Sequence, residues 1–577
     1  MRFKVIATDF DGTLASDDRI GQAALAALAA AQEAGITLVL VTGRTFFELT
    51  RVCEHLDRFD AVVAENGAVL YFPQQAMIRD QGPAPPHRLL AELEQRSIHY
   101  QAGRVVVGTH RADEGRVRDA LAAAGVTRDL VYNRSALMLL PAGINKGTGV
   151  QHVLRSFGVS FHDALALGDA ENDLPLFDAC GWAACPENAV PELKARADWV
   201  LDGPNGGAVA TAIGGPLVHG RLEGRRSPRH QISLGWVVPT AEAATLPARD
   251  INVLVVGDTL SGKSWLAGAM VERLRAARYA VCVLDPEGDY RVLKGLPGVT
   301  WVDVRDRSGL DRILAAFEPD PAACVVADLS ALIHSEKVEM IEASLGKIRA
   351  LRRRRGLPHW VFLDEVQYSL HREGIPAGAI GLEDKGFCLV TYRPSWLADP
   401  VMAAVDVLIL ARAPASEELS RLGGQQFCGV PNIESALAAV PTMPAGEFLL
   451  VDPVGQGAAL TFVADRRETA HVRHLRKYVD SVVPSDQRFV FRHPDARVAG
   501  EARSLGEFRR EIAAVGDDVL ADHAGRGDFS RWVLDVFADR ELAKQIAKTE
   551  ARWSRGEVPD LRRAIDQLVA LRYGDST

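Results

Sequence analysis

At 577 residues the chain is too long for one hydrophobic core, and at about 100–200 residues per domain it should hold three or four. With 47% hydrophobic and 24% charged residues it has the balance of a folded globular protein, which excludes wholesale disorder. A net charge of -9 excludes a strongly basic nucleic-acid binder as a whole and leaves only local basic patches to consider.

The first 202 residues alternate short apolar runs with amphipathic stretches: "KVIATDF", "ITLVLVTG", "DAVVAENG", "DALALGDAEND" and "ADWVL". Such alternation predicts an α/β domain with a parallel sheet covered by helices. Nearly every run ends in polar residues, where an open α/β sheet builds its site. The stretch from about 83 to 142, "RLLAELEQRSIHY" through "ALMLLPAG", reads as strand and helix alternations inserted into the main fold as a small lid.

In "TDFDGT", Asp9 and Asp11 close an apolar strand two residues apart, so their side chains share one side if the strand continues. Two carboxylates there call for a cation, and one can attack phosphorus while the other exchanges a proton with the leaving oxygen and then with water. Gly12 allows the sharp exit the strand needs. Farther on come Thr42 in "VTGR", Lys146 in "INKG", and Asp169 and Asp173 in "GDAEND". They offer a phosphate hydrogen bond, a positive charge for phosphoryl oxygens, and carboxylate ligands for Mg²⁺. Singly, each has a plain structural explanation as turn, helix cap or solvated loop. Their order at successive strand ends is what carries the reading.

This constellation resembles the haloacid dehalogenase superfamily of phosphatases over residues 1–202, in its Cof-like, capped branch, with "AENGAVL" at 64–70 and "GDAENDLPLFDACGWAACPENAVPELKARADWV" at 168–200 as further matches. The resemblance implies a Rossmann-like core with a small α/β cap and an aspartyl-phosphate mechanism on a phosphorylated small molecule. Asp9 would be the nucleophile and Asp11 the general acid/base. Thr42 and Lys146 would hold the phosphoryl group, and Asp169 would bind Mg²⁺ with Asp9 and the Asp11 carbonyl. Asn172 and Asp173 would complete the motif, and Arg44 would face the cap.

Residues 203–230, rich in Gly and Arg with weak periodicity, read as a linker. A second α/β series follows over 231–483, with candidate strands "INVLVVG", "YAVCVLD", "ACVVADLS", "HWVFLDE", "GFCLVTYR" and "DVLILAR". Between the first of these and the helical "WLAGAMVERLRAA" lies "GDTLSGKS": Gly257, Asp258, Thr259, Leu260, Ser261, Gly262, Lys263 and Ser264. Strand, glycine-rich loop and helix are the setting in which backbone N–H groups cradle phosphates, a lysine reaches the outer phosphates and a serine hydroxyl ligates Mg²⁺. In "HWVFLDE", Asp364 would hold Mg²⁺ through water and Glu365 would polarise an attacking water. Together with "VLDPEGDY" and "LVTYRPSWL", these segments resemble HerA/FtsK-like P-loop ATPases, which implies a RecA-like domain that binds ATP, assembles as a ring and acts on DNA. Thr391 is the implied sensor, and Tyr392 stands where that family often has Gln.

Two basic stretches remain. "RALRRRRG", with Arg349 and Arg352 to Arg355, reads as a solvated helix end, a backbone contact to nucleic acid, or an arginine finger. "RRETAHVRHLRKY" pairs His471 with His474 on one helical face, suited to a phosphate or interface contact rather than zinc. After 484 the pattern becomes mainly helical, and Phe529, Trp532, Val533 and Phe537 form a core stripe in a small third domain.

Seven cysteines without a CxxC pair read as buried reduced thiols. The absence of a signal-like start or a spanning apolar run predicts a cytoplasmic protein without a membrane partner. Three functions fit the whole: a metabolite phosphatase regulated or positioned by an ATPase module; an oligomeric DNA motor whose phosphatase acts on nucleotides or nucleic-acid ends; and a polynucleotide kinase phosphatase. The last fits least, because "FLDE" favours water as the phosphoryl acceptor.

Overall fold

The computed structural model describes residues 3–217, 227, 229–258, 261–371, 377–412, 418, 422, 427, 429–453, 457, 459–469, 479, 483, 487–537 and 539–573. The chain divides into two compact units, one built mainly of residues 1–230 and one mainly of 231–577.

The first unit is built on an eight-stranded sheet. Its parallel part runs in the order Trp199–Val200, Trp182–Cys185, Ala164–Leu167, Val5–Asp9, Thr37–Val41 and Ala61–Ala64. Val69–Phe72 and Met77–Asp80 continue it antiparallel. Val5–Asp9 is buried along its whole length, as a central strand covered on both faces must be. Its alternate residues feed two separate cores: Ile6 packs with Leu38, Leu40 and Leu165, whereas Val5 and Ala7 pack with Val39, Val41 and Leu176.

The inserted lid is a four-stranded antiparallel sheet of Asp129–Asn133, Ala136–Leu140, Val107–His110 and Tyr100–Ala102, backed by helices His87–Gln95 and Glu114–Ala124. It has its own small core around Leu89, Leu93, Val117 and Leu137. The stretch assigned by its glycines to a linker differs from expectation at its start. Asn205–Ala212 is a helix whose Val209 and Ala212 join the first core, because the apolar "AVATAI" outweighs the two glycines before it.

The second unit carries an eleven-stranded sheet. The six candidate strands named from sequence are all present, as Val407–Leu410, Asn252–Val256, Phe387–Thr391, Trp360–Leu363, Val281–Asp285 and Cys324–Asp328, adjacent in that order and parallel. Val299–Asp303 extends the parallel part on one edge. On the other edge the antiparallel strands Glu447–Val451, Ala459–Ala464, Gln231–Val237 and Ala243–Pro247 extend it. Beyond them, a hairpin of Phe489–Arg492 and Val498–Ala502 and five helices between Leu505 and Tyr573 enclose an aromatic core. Phe529, Trp532, Val533 and Phe537 are buried in it, as their spacing predicts. No described helix is long and apolar enough to cross a membrane. Cys53, Cys180, Cys185, Cys282, Cys324 and Cys388 are buried free thiols, and Cys428 lies outside the described residues.

Candidate phosphoryl-transfer and nucleotide sites

In the first unit the ends of the parallel strands bring Asp9, Lys146, Asp169 and Asp173 together. Lys146 opens the helix Lys146–Ser156, capped by Asn145, and its ammonium lies 2.5 Å from Asp9 Oδ1 and 2.6 Å from Asp173 Oδ1. The other oxygen of Asp173 accepts the backbone N–H groups of Asp169 and Ala170, both at 3.0 Å. Thr13 Oγ1 donates to Asp169 Oδ1 at 3.2 Å. Oxygens of Asp9, Asp169 and Asp173 all lie within 4.8 Å of one another.

Burial pushes the Asp9 carboxyl well above its ordinary range; Lys146 partly offsets this, and Asp173 and Asp169 add to it. Asp169 is raised by burial and then by Asp173. Burial works against the charge on Lys146, but Asp173 and Asp9 outweigh it and hold its pKa above the usual value. Three clustered buried carboxylates, two of them sharing the Lys146 ammonium, are a hard-oxygen donor set of the kind that fits Mg²⁺.

Asp11 does not join this cluster through its carboxylate. Arg44 holds both its oxygens, at 2.8 and 2.5 Å, and also binds Asp18. Asp11 and Arg44 both line a cleft of about 800 Å³ between core and lid. Thr42 is fully buried, and its hydroxyl accepts the Arg44 N–H at 3.1 Å. Asn172 Nδ2 donates to Asn66 Oδ1 at 3.1 Å, so the "NGA" and "GDAEND" segments meet.

Four contributors were not named from sequence. Arg134, at the lid hairpin turn with φ of +53°, reaches down to Asp169 at 2.5 Å. His99 and His110 of the lid line the same cleft. Asn188, in "CPENAV", donates to the Gly12 carbonyl at 2.8 Å and fixes the loop after Asp11. Gly12 itself has φ of +74°, and a Cβ there would stand 2.4 Å from Asp169 Oδ2, so both conformation and space demand glycine. The lid residues carry no local pattern that marks them in sequence, whereas Asn188 lies in a segment already singled out.

In the second unit the loop after Asn252–Val256 leads into the helix Lys263–Ala276. Thr259 and Leu260 lie outside the described residues. A Cβ on Gly257 would stand 2.5 Å from Ser261 Oγ, a close approach that only glycine permits. The buried Ser261 hydroxyl has no hydrogen-bond partner among the described residues, and the Lys263 ammonium lies 2.8 Å from the Asp258 carbonyl of its own loop. A cradle with an orphaned hydroxyl at a helix N-terminus fits a phosphate chain. Ser264 sits in the first turn of that helix.

The neighbouring strand ends complete the arrangement. Asp285 accepts four backbone N–H groups of residues 287–290, which turns the "DPEGDY" loop so that Tyr290 Oη donates to Asp364 Oδ2 at 3.1 Å. Glu365 is buried with φ of +51° and accepts from Gln367 Nε2 at 2.6 Å. Gln367 Oε1 in turn accepts from Thr391 Oγ1 at 2.8 Å. Tyr392, the departure from the family pattern, is buried with its hydroxyl 2.6 Å from that of Tyr368.

Three arginines of the basic stretches fasten the fold. Arg352 donates to the carbonyls of Pro358, Lys385, His359 and Gly386 and lies 4.7 Å over the Phe387 ring. Arg349 binds the Gly378 carbonyl and Glu383. Arg349 and Arg352 are therefore internal ties, whereas Arg353 and Arg354 are exposed, as a solvated helix end would be. In "RRETAHVRHLRKY", Arg467 makes a buried ion pair with Glu272 at 3.0 Å, and His471 and His474 lie outside the described residues.

Residues 6–104 and 130–213 match the family model of the haloacid dehalogenase-like hydrolases, and residues 251–343 match that of the Helicase HerA central domain. A phosphoglycolate phosphatase of Methanothermobacter thermautotrophicus is 31% identical over 217 residues, 36% of this chain and 97% of that protein. One from Methanopyrus kandleri is 29% identical over 224 residues, 36% of this chain and 95% of its own length. A solved haloacid dehalogenase-like hydrolase from B. subtilis is 20% identical, covers 36% of this chain and 98% of its own, and has a TM-score of 0.32.

Proposed function

The chain belongs, through its first unit, to the haloacid dehalogenase-like hydrolases, and from that premise we propose that it is a Mg²⁺-dependent phosphomonoesterase joined to an ATP-hydrolysing P-loop module that regulates or positions it. The observation that carries the first half is the Lys146 ammonium shared by Asp9 and Asp173 beside Asp169, at the ends of adjacent parallel strands.

In this reading an Asp9 carboxylate oxygen attacks phosphorus, a P–O bond forms on Asp9, and the bond to the leaving alcohol breaks. Asp11, held at the cleft by Arg44, gives that alcohol its proton. In the second half Asp11 takes a proton from water, whose oxygen displaces Asp9 from phosphorus and releases inorganic phosphate. Lys146 balances charge on the phosphoryl oxygens, and the Thr42 hydroxyl turns to one of them. Mg²⁺, held by Asp9, Asp169, the Asp11 carbonyl and, around them, Asp173, would neutralise and orient the same oxygens. The substrate is a small phosphorylated molecule. The names of the relatives and the cationic lid residue Arg134 favour a phosphorylated acid such as phosphoglycolate.

In the second unit Lys263 and the loop Gly257–Ser264 would bind the ATP phosphates, Ser264 and Asp364 would hold Mg²⁺, and Glu365 would polarise the attacking water, with Gln367 linking it to Thr391. The HerA central-domain match favours one second reading, a ring-forming DNA motor whose phosphatase works on nucleotides or nucleic-acid ends.

The test is hydrolysis of a panel of phosphomonoesters by the purified chain. Phosphoglycolate should be turned over with Mg²⁺ and not with a chelator, and Asp9→Asn should lose at least about a thousandfold in kcat, since it removes the attacking group. Undiminished turnover by Asp9→Asn would sink the mechanism, and turnover confined to nucleotides or DNA ends would favour the motor.

A further inference from the structure

The C-terminal helices reach the nucleotide loop of their own unit. Asp258, the residue after Gly257, is 3% exposed, and its Oδ2 lies 3.4 Å from Nε of Arg540, the first residue of the helix Arg540–Ser554. Its other oxygen, Oδ1, is buried and makes no hydrogen bond among the described residues. Burial raises the Asp258 carboxyl to about 6, against the pull of Arg540 first and then Lys263, Arg412 and Arg393. One imperfectly bonded carboxylate thus sits beside Arg540 at the loop that would cradle phosphates, within the field of Lys263, Arg412 and Arg393.

Arg540 is held in place from both sides. Behind it, Asp539 caps the helix through the Leu542 N–H at 3.1 Å, receives Arg572 at 2.9 Å, and is bound by the Tyr573 hydroxyl. Ahead of it, Arg393 of the "TYRPS" turn donates to the carbonyls of Leu534 at 3.2 Å and Val536 at 3.3 Å, and to that of Asp535. Glu418 accepts from Arg393 at 3.1 Å and from the Ser395 hydroxyl at 2.7 Å. A guanidinium on the last carbonyls of the helix Asp528–Phe537 satisfies groups that a helix end leaves open. The turn that follows Thr391 therefore grips the same short segment that delivers Arg540 to the loop.

We propose that Arg540 is a nucleotide-binding residue supplied in cis by the C-terminal helices: its pairing with Asp258 is the empty-site position, and it transfers to the terminal phosphate of a bound nucleoside triphosphate. The inference rests on the P-loop reading above. An arginine is suited to the task because its planar fork engages phosphate oxygens pairwise and stays charged when water is excluded. A phosphate chain carries more negative charge than Asp258 and pairs better with Arg540 than a carboxylate that leaves one oxygen unbonded. Through Arg393, the presence of the terminal phosphate would be felt by the helical module, which gives that module a sensing role.

The test is the affinity of the full chain for ATP and ADP, by titration calorimetry, in wild type, Arg540→Ala, Arg540→Lys, Asp258→Asn and Lys263→Ala. Arg540→Ala should weaken ATP by about tenfold, the scale of one charge-assisted contact, and ADP by less than about twofold. Arg540→Lys should fall between it and wild type. Asp258→Asn should tighten ATP, because it removes the competing carboxylate. A merely structural ion pair gives the opposite pattern: both partners' variants weaken ATP and ADP alike, and that result overturns the proposal, as does an Arg540→Ala chain with the wild-type ATP-to-ADP ratio. Wild type that binds no ATP, or Lys263→Ala that binds like wild type, overturns the P-loop reading itself and is told apart by those two controls alone.

Discussion

Glu65 shows how one residue can do the work of a hinge pin. It follows the strand Ala61–Ala64, is 1% exposed, and accepts the backbone N–H of Arg104 at 2.8 Å, Val105 at 2.8 Å and Val106 at 3.0 Å. Those residues form the turn between the lid strands Tyr100–Ala102 and Val107–His110, so a core carboxylate fixes the register of the lid. Glu65 and Asn66 both have left-handed φ, at +52° and +55°. A Cβ on Gly67 would lie 2.0 Å from the Asn145 carbonyl, which places the same turn against the cap of the Lys146 helix. The "ENG" in the sequence is thus a steric and hydrogen-bonding joint between lid, core and lysine. Glu65→Gln replaces one acceptor oxygen with an amide that must face N–H donors. It should cost about 2–3 kcal/mol of stability, the scale of a buried charged acceptor lost, and should raise KM for the phosphomonoester more than it lowers kcat. Denaturant unfolding and steady-state kinetics on the same preparation check both halves. A variant with wild-type KM would mean the lid does not need this pin.

Elements were legible where a strand is buried on both faces. "KVIATDF" and "INVLVVG" are continuous apolar runs because helices cover both sides of a central parallel strand, and each is found where the pattern puts it. Strands that lie at edges or run antiparallel carry weaker signals. Gln231–Val237 alternates exposed and buried residues and contains a glycine at a bulge, and Val299–Asp303 is half exposed, so neither was named. Trp182–Cys185 was missed because "GWAACP" is short and its alanines pack against Ala166 and Trp199 by smallness rather than bulk. For the site, Asp9, Lys146, Asp169 and Asp173 were legible as motif, while Arg134, the Gln367–Thr391 link and Arg540 depend on long-range packing that spacing does not encode.

The helix Lys263–Ala276 offers an element-scale test. Its Glu272 receives Arg467, the Thr469 hydroxyl at 2.5 Å and two backbone N–H groups, with both ion-pair side chains 3% exposed or less. Arg467→Ala leaves a buried carboxylate without its cation and should cost about 3–5 kcal/mol, whereas joint replacement by Arg467→Met and Glu272→Leu should recover much of the loss. Unfolding midpoints of the two variants decide this, and equal destabilisation of both would show that the backbone contacts to Glu272 matter more than the ion pair.

At the scale of the whole molecule, each unit encloses its own hydrophobic cores and its own candidate phosphate site, and the charge balance constrains what the second unit can bind. A protein that holds a DNA backbone must spare cations for phosphates, and losing counterions from DNA makes such binding steeply salt-dependent. The chain has 66 basic against 75 acidic residues, so any DNA surface must come from local clusters. Within the clusters the sequence offers, Arg349 is engaged with Glu383, Arg352 with four carbonyls and Arg467 with Glu272, which leaves Arg353 and Arg354 as the exposed arginines of the first cluster. An arginine that ties its own fold together cannot be withdrawn to bind phosphate without the cost of the carbonyls or carboxylate it leaves behind. ATP turnover in the Asp9→Asn chain should therefore change by less than about twofold on adding double-stranded DNA at low salt, with Lys263→Ala as the blank. Stimulation of tenfold or more that vanishes with added salt would instead mark a backbone-tracking motor, and the phosphatase would then be cargo brought to nucleic acid rather than an enzyme tuned by nucleotide.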